Sequence, residues 1–199
     1  MKNLWLVGFF FLKKELYLEG KNIGDRGGIG MKDILIRHAT EQDAEQVISH
    51  IRQVLKENAD FMATTLEEFN PSVEEEREWI RLHSERGLML VAEYQGRLIG
   101  LLNLQLSAKE KFKHQGMFGM SIQEIFTGKG IGTCLILEML EWAKQRGDIE
   151  KISLEVFSNN KRAIHLYTKM GFKEEGRRIK QAKLRPGEYV DDILMSIFI

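Results

Sequence analysis

Thr127-Gly128-Lys129-Gly130-Ile131-Gly132 stands between a segment that reads as a strand, Gly116 to Ile122, and one that reads as a helix, from about Gly130 to Arg146. Glycine has no side chain to hold a ligand away, so such a run lets the backbone turn sharply and approach a guest closely. The helix behind it offers unpaired N–H groups and the positive end of its dipole, which favour an anion there. A pyrophosphate suits that place. A P-loop is excluded, because Lys129 is followed by Gly130 and not by Ser or Thr. A dinucleotide fingerprint fits poorly: the glycines alternate at 128, 130 and 132, and the run lies two-thirds along the chain.

The helix after the glycine run carries an apolar stripe that includes Ile131, Leu135, Met139 and Trp142. Beyond it Ile152 to Phe157 reads as a strand, Asn160 to Met170 as a helix, and Phe172 to Ile179 with Tyr189 to Ile199 as a closing pair of strands. Upstream, Leu88 to Glu93 and Leu98 to Leu106 are strand-length apolar segments joined by Tyr94-Gln95-Gly96-Arg97, a hairpin turn. Two helices are expected before them. One follows the capping sequence Thr40-Glu41-Gln42-Asp43 and buries Val47, Ile48, Ile51, Val54 and Leu55. The other follows Ser72-Val73-Glu74-Glu75 and stops at Gly87, with Glu74 to Glu76 read as a solvated first turn. Asn58 to Asn70 reads as a loop with a helical turn, Lys109 to His114 as a surface loop, and Ile34 to Arg37 as a first short strand. One α/β domain is the economical reading.

Two motifs in this order and at this separation resemble those of the GNAT superfamily of N-acetyltransferases. The glycine run is similar to its acyl-CoA signature of Arg or Gln, two residues, Gly, any residue, Gly or Ala. Thr127 is the one departure, standing at the basic or amide position and leaving a side-chain clamp there in doubt. Leu154-Glu155-Val156-Phe157-Ser158-Asn159-Asn160-Lys161-Arg162-Ala163-Ile164-His165-Leu166-Tyr167-Thr168-Lys169-Met170-Gly171-Phe172 resembles the second hallmark, a strand followed by Asn, Ala-Ile, Leu-Tyr, Lys and Gly-Phe at fixed offsets. The resemblance spans about Ile34 to Phe198. It implies a mixed, mostly antiparallel sheet of six to seven strands, splayed between the fourth and fifth and flanked by about four helices.

What the resemblance implies for the site follows residue by residue. Backbone groups of Met120, Ser121 and Ile122 are expected to pair with the pantetheine arm of acetyl-CoA, one of their N–H groups steadying the oxyanion. Thr127, Gly128, Lys129, Gly130, Ile131, Gly132 and Thr133 are expected to hold the pyrophosphate. Tyr167 occupies the position that often protonates the departing CoA sulfur; the bland alternative is a packing tyrosine. Asn160 lies two helical turns before it, either bonding the pantetheine region or serving only as an N-cap. Glu155 matches a glutamate that ribosomal-protein alanine acetyltransferases use to deprotonate their amine, and weighs evenly against a strand carboxylate paired with a cation. Met117 stands where many relatives carry another glutamate. Acceptor choice is expected from the Phe61, Met62, Glu67, Glu68 and Phe69 region and from the hairpin Pro186-Gly187-Glu188-Tyr189-Val190-Asp191-Asp192. The family range of protein N-termini, polyamines and small antibiotics leaves the acceptor open between a small molecule and a peptide. A homodimer is compatible with the family, and a catalytically silent acyl-CoA sensor is the competing function.

The totals set bounds on all this. At 199 residues the chain holds one well-cored domain, and a formal net charge of zero gives no field toward nucleic acid or an anionic membrane. Its single cysteine, Cys134, falls in an apolar helical pattern, which excludes an internal disulfide and suits a reducing cytoplasm. None of His38, His50, His83, His114 and His165 has metal-motif spacing, so no metal is expected. Residues 1–30 differ in character. Leu4 to Leu12 is too short an apolar run to span a bilayer, and no small-residue cleavage site follows it. The domain is therefore expected over 31–199, with 1–30 an extension outside its core.

Overall fold

In the computed structural model, residues 33–199 are described; the proposed boundary at Met31 and the 1–30 extension lie outside them. Seven strands form one sheet in the order β1-β2-β3-β4-β5-β7-β6. They are β1 (Ile34–His38), β2 (Gly87–Tyr94), β3 (Arg97–Leu106), β4 (Gln115–Ile122), β5 (Lys151–Phe157), β6 (Lys173–Arg185) and β7 (Glu188–Phe198). Among the described residues the α-helices are α1 (Ala44–Glu57), α2 (Val73–Arg86), α3 (Ile131–Arg146) and α4 (Lys161–Lys169). Every neighbouring strand pair is antiparallel except β4 and β5.

That exception makes the site. β4 and β5 pair in parallel only from Gln115 to Met117 against Lys151 to Ser153. From Phe118 onward β4 keeps its antiparallel partner β3 as far as Ile122, opposite Gly100, while its other edge has parted from β5. The expected splay is therefore present, and it opens a V through the middle of the sheet.

Local chemistry explains the helices that flank the V. Ser72 Oγ accepts from the Glu75 N–H at 3.2 Å, and the Glu75 carboxylate accepts from the Ser72 N–H at 2.7 Å. This reciprocal box starts α2 where the sequence placed it, and such caps contribute about 1 kcal/mol. Before α1, the Asp43 carboxylate accepts from the Thr40 N–H at 2.8 Å and is clamped by Arg37 through two 2.8 Å contacts. α3 is buried almost all round, at Ile131, Leu135, Ile136, Leu137, Met139, Leu140 and Ala143, because β2, β3 and β4 lie beneath it and α4 beside it. Its apolar surface is thus wider than the expected stripe. Each fully buried side chain of this kind contributes about 1.5–3 kcal/mol relative to exposure.

Two expectations need correction. The strand expected to end at Ile179 continues to Arg185, because a register shift between Arg178 and Ala182 hides the alternation. Lys180, at the shift, has φ 51°, and its N–H donates to Asp191 Oδ1 at 2.8 Å. Glu76, read as part of a solvated turn, is 4% exposed, and its Oε1 has no hydrogen-bond partner among the described residues. Helical geometry turns Glu76 inward onto the same face as Ile80, while Glu74 stays outside. Burial pushes its carboxyl up to about 7. The folded state therefore prefers the neutral acid, so Glu76 contributes most below about 4.5 and its contribution is lost as pH rises through about 7. Glu76→Gln is expected to stabilise the protein at pH 8 by about 2 kcal/mol and to flatten stability between these pH values, as read by urea unfolding.

Candidate active site

Gly128 and Gly130 carry the turn into α3 with φ 72° and 90°, a region that ordinary side chains rarely adopt. Gly130 is the N-cap and has no side chain to cap the helix, so the positive end of the α3 dipole meets the turn, where an anion is favoured. Gly132 is constrained differently. A Cβ there would lie 2.9 Å from Leu166 Cδ2, 3.2 Å from Met120 Cε and 3.3 Å from Ile122 Cδ1. Its smallness therefore lets α3, β4 and α4 meet closely at the mouth of the V.

A cleft of about 790 Å³ occupies the V. Of the residues expected at the site, Met120, Ser121, Ile122, Thr127, Gly128, Gly130, Ile131, Gly132, Thr133, Glu155, Asn160 and Tyr167 all line it. Lys129 does not line it. Asn160 is the N-cap of α4: its Oδ1 accepts from the Ala163 N–H at 3.1 Å, while the residue also faces the cleft. Capping and contact with a ligand are thus compatible, since the side-chain amide keeps its donors.

Tyr167 is 6% exposed and packed edge-on against Phe118, with ring centroids 5.7 Å apart, and against Phe172 at 6.1 Å. Burial pushes its phenol up to about 12, so it keeps its proton throughout the physiological range. It can donate and cannot serve as an anionic base.

Across the cleft, Glu155 is not a free carboxylate. Arg178 Nη2 lies 2.8 Å from Glu155 Oε1, and Arg178 Nη1 lies 2.9 Å from Asp192 Oδ2. All three residues line the cleft, and the Asp192 side chain is only 6% exposed. Burial and the neighbouring Glu155 push the Asp192 carboxyl above its usual range, with Arg178 opposing. The cluster holds two carboxyl groups against one guanidinium. β5 supplies Glu155, β7 supplies Asp192 opposite Phe157, and the irregular β6 supplies Arg178. Of the acceptor region expected from sequence, Phe61 and Met62 line the cleft and Glu67, Glu68 and Phe69 do not. The loop carrying Phe61 is tied down by Arg185, which pairs with the Asp60 carboxylate at 2.7 Å, and by Asn159 Nδ2, which donates to the Asp60 carbonyl at 3.0 Å.

The sequence reading also missed Arg162. Its guanidinium grips the Glu124 carboxylate through two 2.7 Å contacts, and Nη1 donates to Thr127 Oγ1 at 3.0 Å. Arg162 lines the cleft beside the glycine turn. A guanidinium delivered from α4 therefore stands beside Thr127, paired with Glu124. The only sequence signal was its place two residues after Asn160 in the second motif.

Among the described residues no group of three or more His, Cys, Asp or Glu side chains is arranged to hold a metal ion, and no helix is long and apolar enough to cross a membrane.

Comparison with known proteins gives a consistent result. The sequence model of the acetyltransferase (GNAT) family matches residues 52–172. An L-amino acid N-acetyltransferase of Escherichia coli is 34% identical over 167 residues, covering 83% of this chain and 98% of that protein. A spermidine N(1)-acetyltransferase of Vibrio cholerae is 31% identical, covering 69% of this chain and 79% of its own length. Among solved structures, a GNAT-family acetyltransferase of Streptococcus pneumoniae superposes with a TM-score of 0.79 at 27% identity, over 83% of this chain and 99% of that one. An acetyltransferase of Salmonella typhimurium, solved with its cofactor acetyl-CoA, shares the fold with a TM-score of 0.72 at 17% identity, over 83% and 93% of the two chains.

Proposed function

The chain belongs to the acetyltransferase (GNAT) family, and from that premise we propose that it transfers the acetyl group of acetyl-CoA to a small primary amine, by direct attack within the V between β4 and β5. The observation that carries this reading is the parting of the two strands beyond Met117, which gathers the glycine turn, Asn160, Tyr167 and Glu155 around one cleft.

The pyrophosphate sits on the N-terminal N–H groups of α3, framed by Gly128 to Thr133, and the pantetheine arm runs along the free edge of β4 as an added strand. The amine enters from the side of the Asn58 to Ala63 loop and is received as an ammonium ion by Glu155 and Asp192. Arg178 pairs with both carboxylates, and Asp192, whose carboxyl burial and the neighbouring Glu155 push up, takes the proton. The neutral nitrogen attacks the thioester carbon. The N–C bond forms, the C–S bond breaks, and the sulfur leaves with the proton of the Tyr167 hydroxyl; the nitrogen gives up its second proton as it becomes the amide, and that proton restores the Tyr167 hydroxyl. An amino acid and spermidine, named for the two relatives above, both present such an amine.

Two tests address the parts of this scheme. If Arg162 supplies the clamp missing at Thr127, Arg162→Ala raises the Kd for CoA about tenfold by calorimetry and leaves the kinetics of a short acetyl thioester lacking phosphates unchanged. An equal loss with both donors would place Arg162 outside the phosphate site. If Asp192 takes the proton, Asp192→Asn abolishes the acidic limb of the kcat/KM profile, whereas Glu155→Gln chiefly raises the KM for the amine. Retention of the limb in Asp192→Asn would assign the base elsewhere. The reading as a whole is tested by thiol release from acetyl-CoA across a panel of amines.

A further inference from the structure

One polar chain in the wall of the cleft takes no part in these steps. His50, on α1, is 1% exposed, and its Nε2 lies 2.9 Å from Ser121 Oγ. On the other side of the ring, Gln123 Nε2 stands 3.4 Å from Nδ1. The same amide nitrogen donates to the Leu98 carbonyl at 3.1 Å, which fixes the end of the amide that carries hydrogens. Nδ1 is therefore the acceptor. Burial pushes the imidazole down to about 4, outweighing the attraction of Glu57 and a contact with the Ser121 backbone, so the ring is neutral and, with Nδ1 accepting, its single proton is on Nε2. Nε2–H then donates to Ser121 Oγ. A hydroxyl that accepts from behind has its own hydrogen to give elsewhere, and Ser121 lines the cleft on the stretch of β4 that has left β5.

We propose that the Ser121 hydroxyl donates to the oxygen of the thioester carbonyl, and that His50 and Gln123 are positioning residues that impose this direction. The proposal rests on the acetyl-transfer reading above. As the amine attacks, the carbonyl π electrons move onto that oxygen and the Ser121 hydrogen bond strengthens; when the C–S bond breaks, the carbonyl re-forms. Ser121 keeps its proton throughout.

The test uses the full chain with acetyl-CoA and its best amine. Ser121→Ala is expected to lower kcat about tenfold or more with the KM for acetyl-CoA within about twofold. His50→Phe has a comparable effect when Ser121 is present and no further effect in the Ser121→Ala background, and His50→Gln, which keeps a donor, recovers most of the rate. Thermal unfolding of each variant controls for folding. Independently of activity, the nitrogen NMR spectrum of the histidine rings at pH 7 is expected to show His50 neutral and protonated at Nε2. Unchanged kcat in Ser121→Ala, additive losses in the double variant, or an Nδ1-protonated ring would each overturn the proposal while wild-type turnover stands. Absence of amine-dependent turnover in the wild type would instead remove the acetyl-transfer reading, and this proposal with it.

Discussion

Tyr167→Phe is expected to lower kcat about 100-fold and to leave the KM for acetyl-CoA within about twofold. The expectation follows from how the ring is held. Phe118 and Phe172 grip its edges and leave the hydroxyl as the one group that phenylalanine deletes. Burial keeps that hydroxyl protonated, with its pKa pushed up to about 12, so the wild type always presents a donor. The sulfur departs as a thiolate only after the C–S bond has begun to break, so the donor acts in the transition state and contributes little to ground-state binding. A variant of unchanged Tm and unchanged kcat would reduce Tyr167 to a packing residue of α4.

The largest expected loss of stability lies far from the cleft, in Gly87→Ala. Gly87 is the first residue of β2, immediately after α2, and pairs with Gln105 in register. A Cβ there would lie 1.9 Å from the Leu104 carbonyl oxygen and 3.0 Å from its carbon. The obstacle is backbone within the β2–β3 ladder, and it cannot swing aside as a side-chain tip could. Relief requires β3 to shift under Leu88, Leu90, Leu102 and Leu104, all buried in the core around α3. The cost is about 3 kcal/mol, or a fall in Tm of about 10 °C, measured by thermal unfolding. Gly96→Ala provides the contrast: no atom lies within 4 Å of its added Cβ, and only its φ of 76° opposes the change. It is expected to cost about 1 kcal/mol. Equal effects at the two positions would show that β2 and β3 are not in such close contact at Gly87.

The parts of the molecule legible in the sequence were those set by local chemistry. The strand, glycine turn and helix around Gly128 to Gly132, the Ser72–Glu75 cap and the run from Asn160 to Phe172 each announce themselves within about twenty residues. The splay of the sheet came from the resemblance, since no local pattern says that β4 and β5 part after Met117. Contacts between distant elements were not legible. Arg162 reaches Thr127 across 35 positions, and Arg178 on β6 reaches Glu155 on β5 across the intervening β7. The Glu74 to Glu76 run shows the same limit on a smaller scale: composition reads three solvated carboxylates, while the phase of α2 against the core buries the third. His50 looked like one of five scattered histidines until α1 was laid against β4, where it meets Ser121.

Thiol release from acetyl-CoA tests the central claim most directly. The full chain is mixed with acetyl-CoA and a panel of primary amines that includes L-amino acids and spermidine. Free thiol is followed with a chromogenic disulfide, and the amine products are weighed by mass spectrometry. The structure of the cleft predicts amine-dependent thiol release with at least one member of the panel, an acetylated amine as product, and a rate cut about 100-fold in Tyr167→Phe. Tight binding of acetyl-CoA with no amine-dependent release from any member would contradict the account and leave a sensor of the acyl donor in its place.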